Sequence, residues 1–181
     1  MTITINGNGN VTGISAGGLP DGCIQAADLA SGVGSPEFTS FNAILGADQS
    51  LSNTTWTTIA LNADSGSEGW DTGSDFDTSN YKWVVPFTGK YFFYACLRYN
   101  GLGQSKLCYI ALYNGGSQIA NTEKKAYQNL SGDQDFSIRT SGIMKVSAGD
   151  EIYLKGYHNH GSSRDVNDNH CCFGAFYLKD E

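Results

Sequence analysis

Tyr91-Phe92-Phe93-Tyr94-Ala95-Cys96-Leu97 is the stretch on which the fold turns. Read as a β-strand, it sends residues 91, 93, 95 and 97 to one face and 92, 94 and 96 to the other. Both faces are then apolar or aromatic, whereas a sandwich strand with one wet face alternates with polar residues. Cys172-Phe173-Gly174-Ala175-Phe176-Tyr177-Leu178 repeats the pattern. One face of each strand can fill a core, and the other needs a cover. No Glu/Lys/Ala-rich amphipathic stretch is available to supply a helical layer. A neighbouring copy of the chain is the economical cover, because large exposed aromatic patches mark interfaces. Phe92, Tyr94, Phe173, Phe176 and Tyr177 are the candidates for that contact. Loops folded over the face are the alternative.

On either side of these two strands the chain reads as further short strands separated by turns. They are expected at 38–45, 55–60, 82–85, 90–99, 107–113, 135–145, 151–157 and 171–179. Asn100-Gly101, Asn114-Gly115-Gly116, Ser131-Gly132-Asp133 and Ala148-Gly149-Asp150 supply the turn chemistry. About eight short strands with this punctuation predict an all-β sandwich or barrel. Residues 1–36 differ: Ile3, Ile5, Val11 and Ile14 are isolated among Asn, Gly, Thr and Ser, too few to build a core. They read as an extended attachment or oligomerisation segment, with a turn over 17–22, one helical turn over 26–30 and a linker over 31–36. The main domain is expected over 37–181.

Charge excludes several partners. The 181-residue chain carries a formal charge of −7 and only 16% charged residues, with no Lys/Arg cluster. Such a surface repels phosphate backbones, so nucleic-acid binding is not expected. No apolar run is long enough to cross a bilayer as a helix. The start, Met1-Thr2-Ile3-Thr4-Ile5-Asn6-Gly7, has neither the basic nor the apolar region of a signal peptide, so synthesis in a cytoplasm is expected, with any exit by lysis or an unconventional route. Five cysteines, without a C-x-x-C pair, read as small buried hydrophobes kept reduced. Cys171 and Cys172 are adjacent and would point to opposite faces of a strand.

Pro86-Phe87-Thr88-Gly89-Lys90-Tyr91-Phe92-Phe93 resembles the Pro-x-x-Gly-x-Tyr-x-Phe core of the globular head of the first complement component, a jelly roll shared with the tumour necrosis factor cytokines. Phe76, Asp77 and Asn80 stand upstream where that family has its Phe and Asn. The run from Gly142 to Leu154 is similar to its penultimate hairpin, and Phe173 to Leu178 to its last strand. The resemblance implies a homotrimer packed through one sheet about a three-fold axis, with binding surfaces on loops and flanks. The Gly-x-y stalk of the animal complement proteins is absent. The N-terminal run Ile3-Thr4-Ile5-Asn6-Gly7, with residues 12–22 and Ala26-Ala27-Asp28-Leu29, is similar to segments of phage tail-fibre and virion appendage proteins. That resemblance implies a virion location, attachment to other fibre proteins through the first segment, and a host surface saccharide or protein as the target.

Candidate chemistry is sparse. His158-Asn159-His160 puts two imidazoles on one side of an extended chain. Three such pairs about an axis would offer six ligands to a transition metal, a device that the tail-fibre resemblance also implies; a solvated loop binding nothing is the alternative. Asp71, Asp75 and Asp77 crowd one loop and could hold calcium, or simply form a solvated acidic turn. The run from Asp165 begins like a calcium loop but has His170 and Phe176 where an EF-hand needs Gly and Glu. Asp64, Glu68 and Asp71 near Trp70 could serve glycoside cleavage. Nucleophile elbows, phosphate loops and supported Cys/His dyads are missing, so a non-enzymatic protein is expected. Receptor contacts are expected from the long polar connection 158–170, through Arg164, Asp165, Asn167 and Asp168, with Trp70 and Tyr127 from other loops. The leading expectation is a trimeric receptor-binding module on a phage fibre; a fibre-capping or decoration protein and a saccharide-cleaving enzyme are the alternatives.

Overall fold

The computed structural model describes residues 4–5, 11–12, 39–64 and 69–178. The chain divides into two units, Met1–Glu37 and Phe38–Glu181. In the first, Thr4–Ile5 pairs antiparallel with Val11–Thr12, Thr4 facing Thr12. The turn, helical turn and linker expected over 17–36 lie outside the described residues.

Eight strands carry the second unit. They are β1 (Ser40–Leu45), β2 (Lys82–Val84), β3 (Gly89–Leu102), β4 (Lys106–Asn114), β5 (Lys124–Gln128), β6 (Gln134–Val146), β7 (Glu151–His158) and β8 (Cys172–Tyr177). One sheet runs β6-β3-β8-β1 and the other β5-β4-β7-β2, all pairs antiparallel. First strand beside last, and third beside sixth, is the strand order of a jelly roll. The chain is nearly all β, as the turn-punctuated sequence predicts. Leu61–Ala63 and Trp70–Asp71 extend the first sheet beyond β1, and Arg164–Val166 joins the far end of β3 and pairs with Gln49–Leu51. The connection expected to be a polar loop over 158–170 therefore contains a strand, and a 3₁₀ turn over Asp168–His170. β5 was not foreseen either; its Lys-Lys-Ala-Tyr-Gln sequence is that of a charged edge strand rather than an apolar run.

Alternation along β3 decides what lies inside. Tyr91, Phe93, Ala95, Leu97 and Tyr99 are all buried, alternating with the half-buried Phe92, Tyr94, Cys96 and Arg98. Their rings join a chain of aromatic contacts between the sheets: Trp83 meets Tyr91 edge-on at 4.9 Å, and Phe41 meets Phe173 at 5.0 Å and Trp83 at 5.2 Å. The Pro86–Gly89 entry is secured from inside, the Tyr91 hydroxyl donating to the Phe87 carbonyl at 2.9 Å. Tyr99 crosses between the layers. Its hydroxyl donates toward the carbonyls of Tyr109 (2.8 Å) and Tyr157 (3.2 Å) and accepts from the Tyr157 N–H (3.0 Å). Gly156 makes room for it, since a Cβ there would lie 2.7 Å from that hydroxyl. At the other end of the sandwich β1 begins where β8 finishes: Ser40 faces Phe176, and the Tyr177 N–H donates to the Thr39 carbonyl at 3.1 Å.

Candidate functional site

The outward face of the β6-β3-β8-β1 sheet carries what the core leaves over. Even-numbered residues of β3 stand there beside their partners on β8 and β6: Phe92 beside Phe176 and Ile143, Tyr94 beside Gly174 and Ser141, Cys96 beside Cys172 and Arg139. The rings of Phe92 and Phe176 lie 5.2 Å apart, and Phe176 and Ile143 remain 42% and 65% exposed. In a sandwich of two layers nothing among the described residues of the unit covers them. The Tyr94 hydroxyl donates to Asn42 Oδ1 at 3.0 Å, and burial pushes its phenol up to about 12. Its ring can lie down only because residue 174 is glycine: a Cβ there would stand 2.4 Å from the ring and 2.7 Å from the Phe41 carbonyl. Between this apolar end and the Arg98–Asp135 ion pair (2.8 Å) lies a concavity of about 570 Å³, lined among others by Tyr94, Cys96, Arg139 and Cys172.

Of the five contact residues expected from sequence, Phe92, Tyr94 and Phe176 stand on this face. Phe173 and Tyr177 do not. Phe173 is fully buried against Phe41, and Tyr177 packs on Tyr91 at 5.0 Å, both on the core side. The two-faced pattern was legible, but which residue takes which face follows from the register with β1 and β3.

The end of the sandwich near residues 100–103 and 158–166 is tied together by the residues expected to meet a receptor or metal. Arg164 donates to the Gly101 carbonyl (2.7 Å), the Ser163 carbonyl (3.1 Å), Ser162 Oγ (3.3 Å) and Asp133 Oδ2 (2.8 Å). His158 is fully buried, with Nε2 3.0 Å from the Leu51 carbonyl, while Nδ1 accepts the His160 N–H at 3.3 Å. That pairing makes Nε2 the protonated nitrogen and leaves the ring no lone pair for a metal. His160 Nδ1 accepts the Gly103 N–H at 3.0 Å. The expected axial pair is thus engaged within one chain. Asp165 is exposed opposite Ser50, the Asn167 N–H donates to the Arg98 carbonyl at 2.9 Å, and the Asp168 N–H donates to Asp48 Oδ1 at 2.8 Å. Trp70, 44% exposed, lies beside β1 in one sheet, and Tyr127, 50% exposed, on β5 in the other. The six expected receptor residues therefore do not converge.

The acidic turn is also occupied internally. Asp71 caps the Phe76 N–H at 2.8 Å, Asp75 accepts from the Thr39 hydroxyl at 2.7 Å, and Asp77 accepts from Asn80 Nδ2 at 2.6 Å. Burial raises the Asp75 pKa, against the Thr39 hydrogen bond that lowers it. Among the described residues no three His, Cys, Asp or Glu side chains are grouped to hold a metal ion.

One cluster escaped the sequence reading. On the outward face of the other sheet Tyr109 faces Tyr157 and Tyr113 faces Tyr153. Trp56 sits among them, its ring 5.9 Å from Tyr109, 5.8 Å from Tyr113 and 5.5 Å from Tyr157. Lys155 lies over Tyr113 at 4.6 Å and Lys125 over Tyr109 at 5.7 Å, within cation–π reach. The signal was tyrosine at the same four-residue spacing in two strands, which becomes a cluster only once their pairing is known.

No family model matches the sequence, and no curated protein is significantly similar to it. Solved structures do match. The globular domain of the zebrafish complement 1qA protein superposes with a TM-score of 0.55 at 12% identity, covering 79% of this chain and 99% of that one. Eiger TNF from S. frugiperda gives 0.52 at 14% identity, covering 80% and 93%. At such identities the likeness establishes the fold, the jelly roll that the Pro86–Phe93 and Phe173–Leu178 motifs implied.

Proposed function

We propose that this chain is a non-catalytic recognition module that assembles as a homotrimer through the outward face of the β6-β3-β8-β1 sheet and is displayed on a phage fibre or virion appendage. The observation that carries the assembly is the uncovered face itself: Phe92, Phe176 and Ile143 form an apolar patch on a two-layer sandwich. Monomers seldom leave such patches open. The virion setting rests on the resemblance of residues 3–29 to appendage segments, and the fold neighbours supply the precedent of a compact jelly-roll head.

With that sheet covered, the face bearing Trp56, Tyr109, Tyr113, Tyr153 and Tyr157 is left for a target on the host surface. Aromatic rings flanked by lysine amines suit sugar rings bearing hydroxyl or carboxylate groups. Light scattering should return three times the 19.4 kDa chain mass, and particles lacking the protein should adsorb poorly to host cells. A monomer at micromolar concentration would refute the assembly. Normal adsorption by the depleted particles would make the protein a decoration.

A further inference from the structure

Cys96 on β3 and Cys172 on β8 are direct partners in the antiparallel register, and both are free and half-buried. Partners facing each other across two antiparallel strands put their side chains on the same face. The Leu178 N–H donates to the Lys90 carbonyl at 2.8 Å, which makes the even-numbered residues of β3 hydrogen-bonded partners of β8. Such pairs hold their Cα atoms about 5.5 Å apart, within the disulfide range, while their Cβ atoms stand wider than in non-hydrogen-bonded pairs, so closing the bond draws the two strands together. Both residues line the concavity of the outward face, together with Arg139, which faces Cys96 from β6. The other described cysteines point elsewhere. Cys171 is buried with its sulfur 3.4 Å from the Arg98 N–H, and Cys108 is buried on β4 in the opposite sheet.

We propose that Cys96 and Cys172 are a modification site, a cross-strand dithiol that closes to a disulfide when it meets a small-molecule disulfide such as oxidised glutathione. The Cys96 thiolate attacks one sulfur of the reagent, forms a mixed disulfide and expels one glutathione thiolate. Cys172 then loses its proton and attacks the Cys96 sulfur, expelling the second glutathione. Two protein thiols are oxidised and one reagent disulfide is reduced to two thiols. Burial pushes the Cys172 thiol up to about 11, so the second step is the slow one and quickens in alkaline buffer. The site belongs to a single chain and lies on the face that the proposed assembly covers, so the reagent reaches it in the unassembled chain.

The test treats native protein, and protein refolding from denaturant, with oxidised glutathione. Remaining thiols are then alkylated and the peptides mapped without reduction. The expected product in at least one preparation is a peptide pair joined through Cys96 and Cys172. Two free thiols disappear and return with dithiothreitol, and the melting temperature rises by about 5 °C. Cys96→Ser and Cys172→Ser should each abolish the link and carry glutathione on the remaining partner. Separate glutathione adducts on both cysteines with no link in either preparation, or a link to another cysteine instead, would overturn the proposal. A monomeric mass by light scattering would count against assembly while leaving the link expected.

Discussion

Arg164 and His158 show how the same residue types serve a fold or a ligand according to what surrounds them. The guanidinium of Arg164 joins Gly101, Asp133 and the chain at 162–163, so Arg164→Ala should lower stability by about 2 kcal/mol, read from urea unfolding. From sequence it stood as a surface contact, because composition cannot say whether a polar connection is solvated or tied. His158 carries a pH dependence. Burial holds its pKa below 6.5, opposed by the Leu51 carbonyl and aided by the charge of Arg164, and His160 shifts the same way. A folded pKa below the unfolded one means that the unfolded chain binds the proton more readily. The stability is therefore complete above about pH 6.5 and is lost as pH falls through the folded values. Melting curves from neutral to mildly acidic buffer should show the loss, and His158→Gln, which cannot titrate, should reduce it to the share of His160.

β8 is the element on which most depends, lying between β3 and β1 and serving core and outward face alternately. Gly174→Ala is its most exposing substitution. The added methyl meets the Tyr94 ring and the Phe41 carbonyl, and only the ring can move, so the change should cost about 1–3 kcal/mol and lift Tyr94 off Asn42. Denaturant titration measures the first effect, and tyrosine fluorescence reports the second. The existence of β8 and β3 was legible because their apolar runs are bounded by turn residues. Their facing was not, since a one-residue change of register exchanges the two faces. For the same reason Cys96 and Cys172, 76 positions apart, read as unrelated buried thiols until pairing set them opposite. Arg164–Val166 hides likewise, because its partner Gln49–Leu51 lies more than a hundred residues away.

At the scale of the molecule the −7 charge and the apolar sheet face act in opposite senses, one holding copies apart and the other drawing them together. Assembly should therefore tighten with added salt. Phe176→Glu, which alters the patch but no buried core position, should leave the chain folded and monomeric by light scattering, since burying an unpaired carboxylate costs several kcal/mol. A trimer that tolerates this change would place the contact elsewhere. Strand-length runs and turns put a sandwich or barrel within reach of the sequence, and the jelly roll came from the resemblance carried by Pro86–Phe93 and Phe173–Leu178; the assembly face was legible only as an excess of apolar residues. The sandwich also begins and finishes at one place, Thr39 bonded to Tyr177. Joined there by a short linker, the chain has no preferred starting point among its surface turns, and it could be opened at Gly115–Gly116, where the turn is solvent-exposed, without parting a single pair of the eight strands.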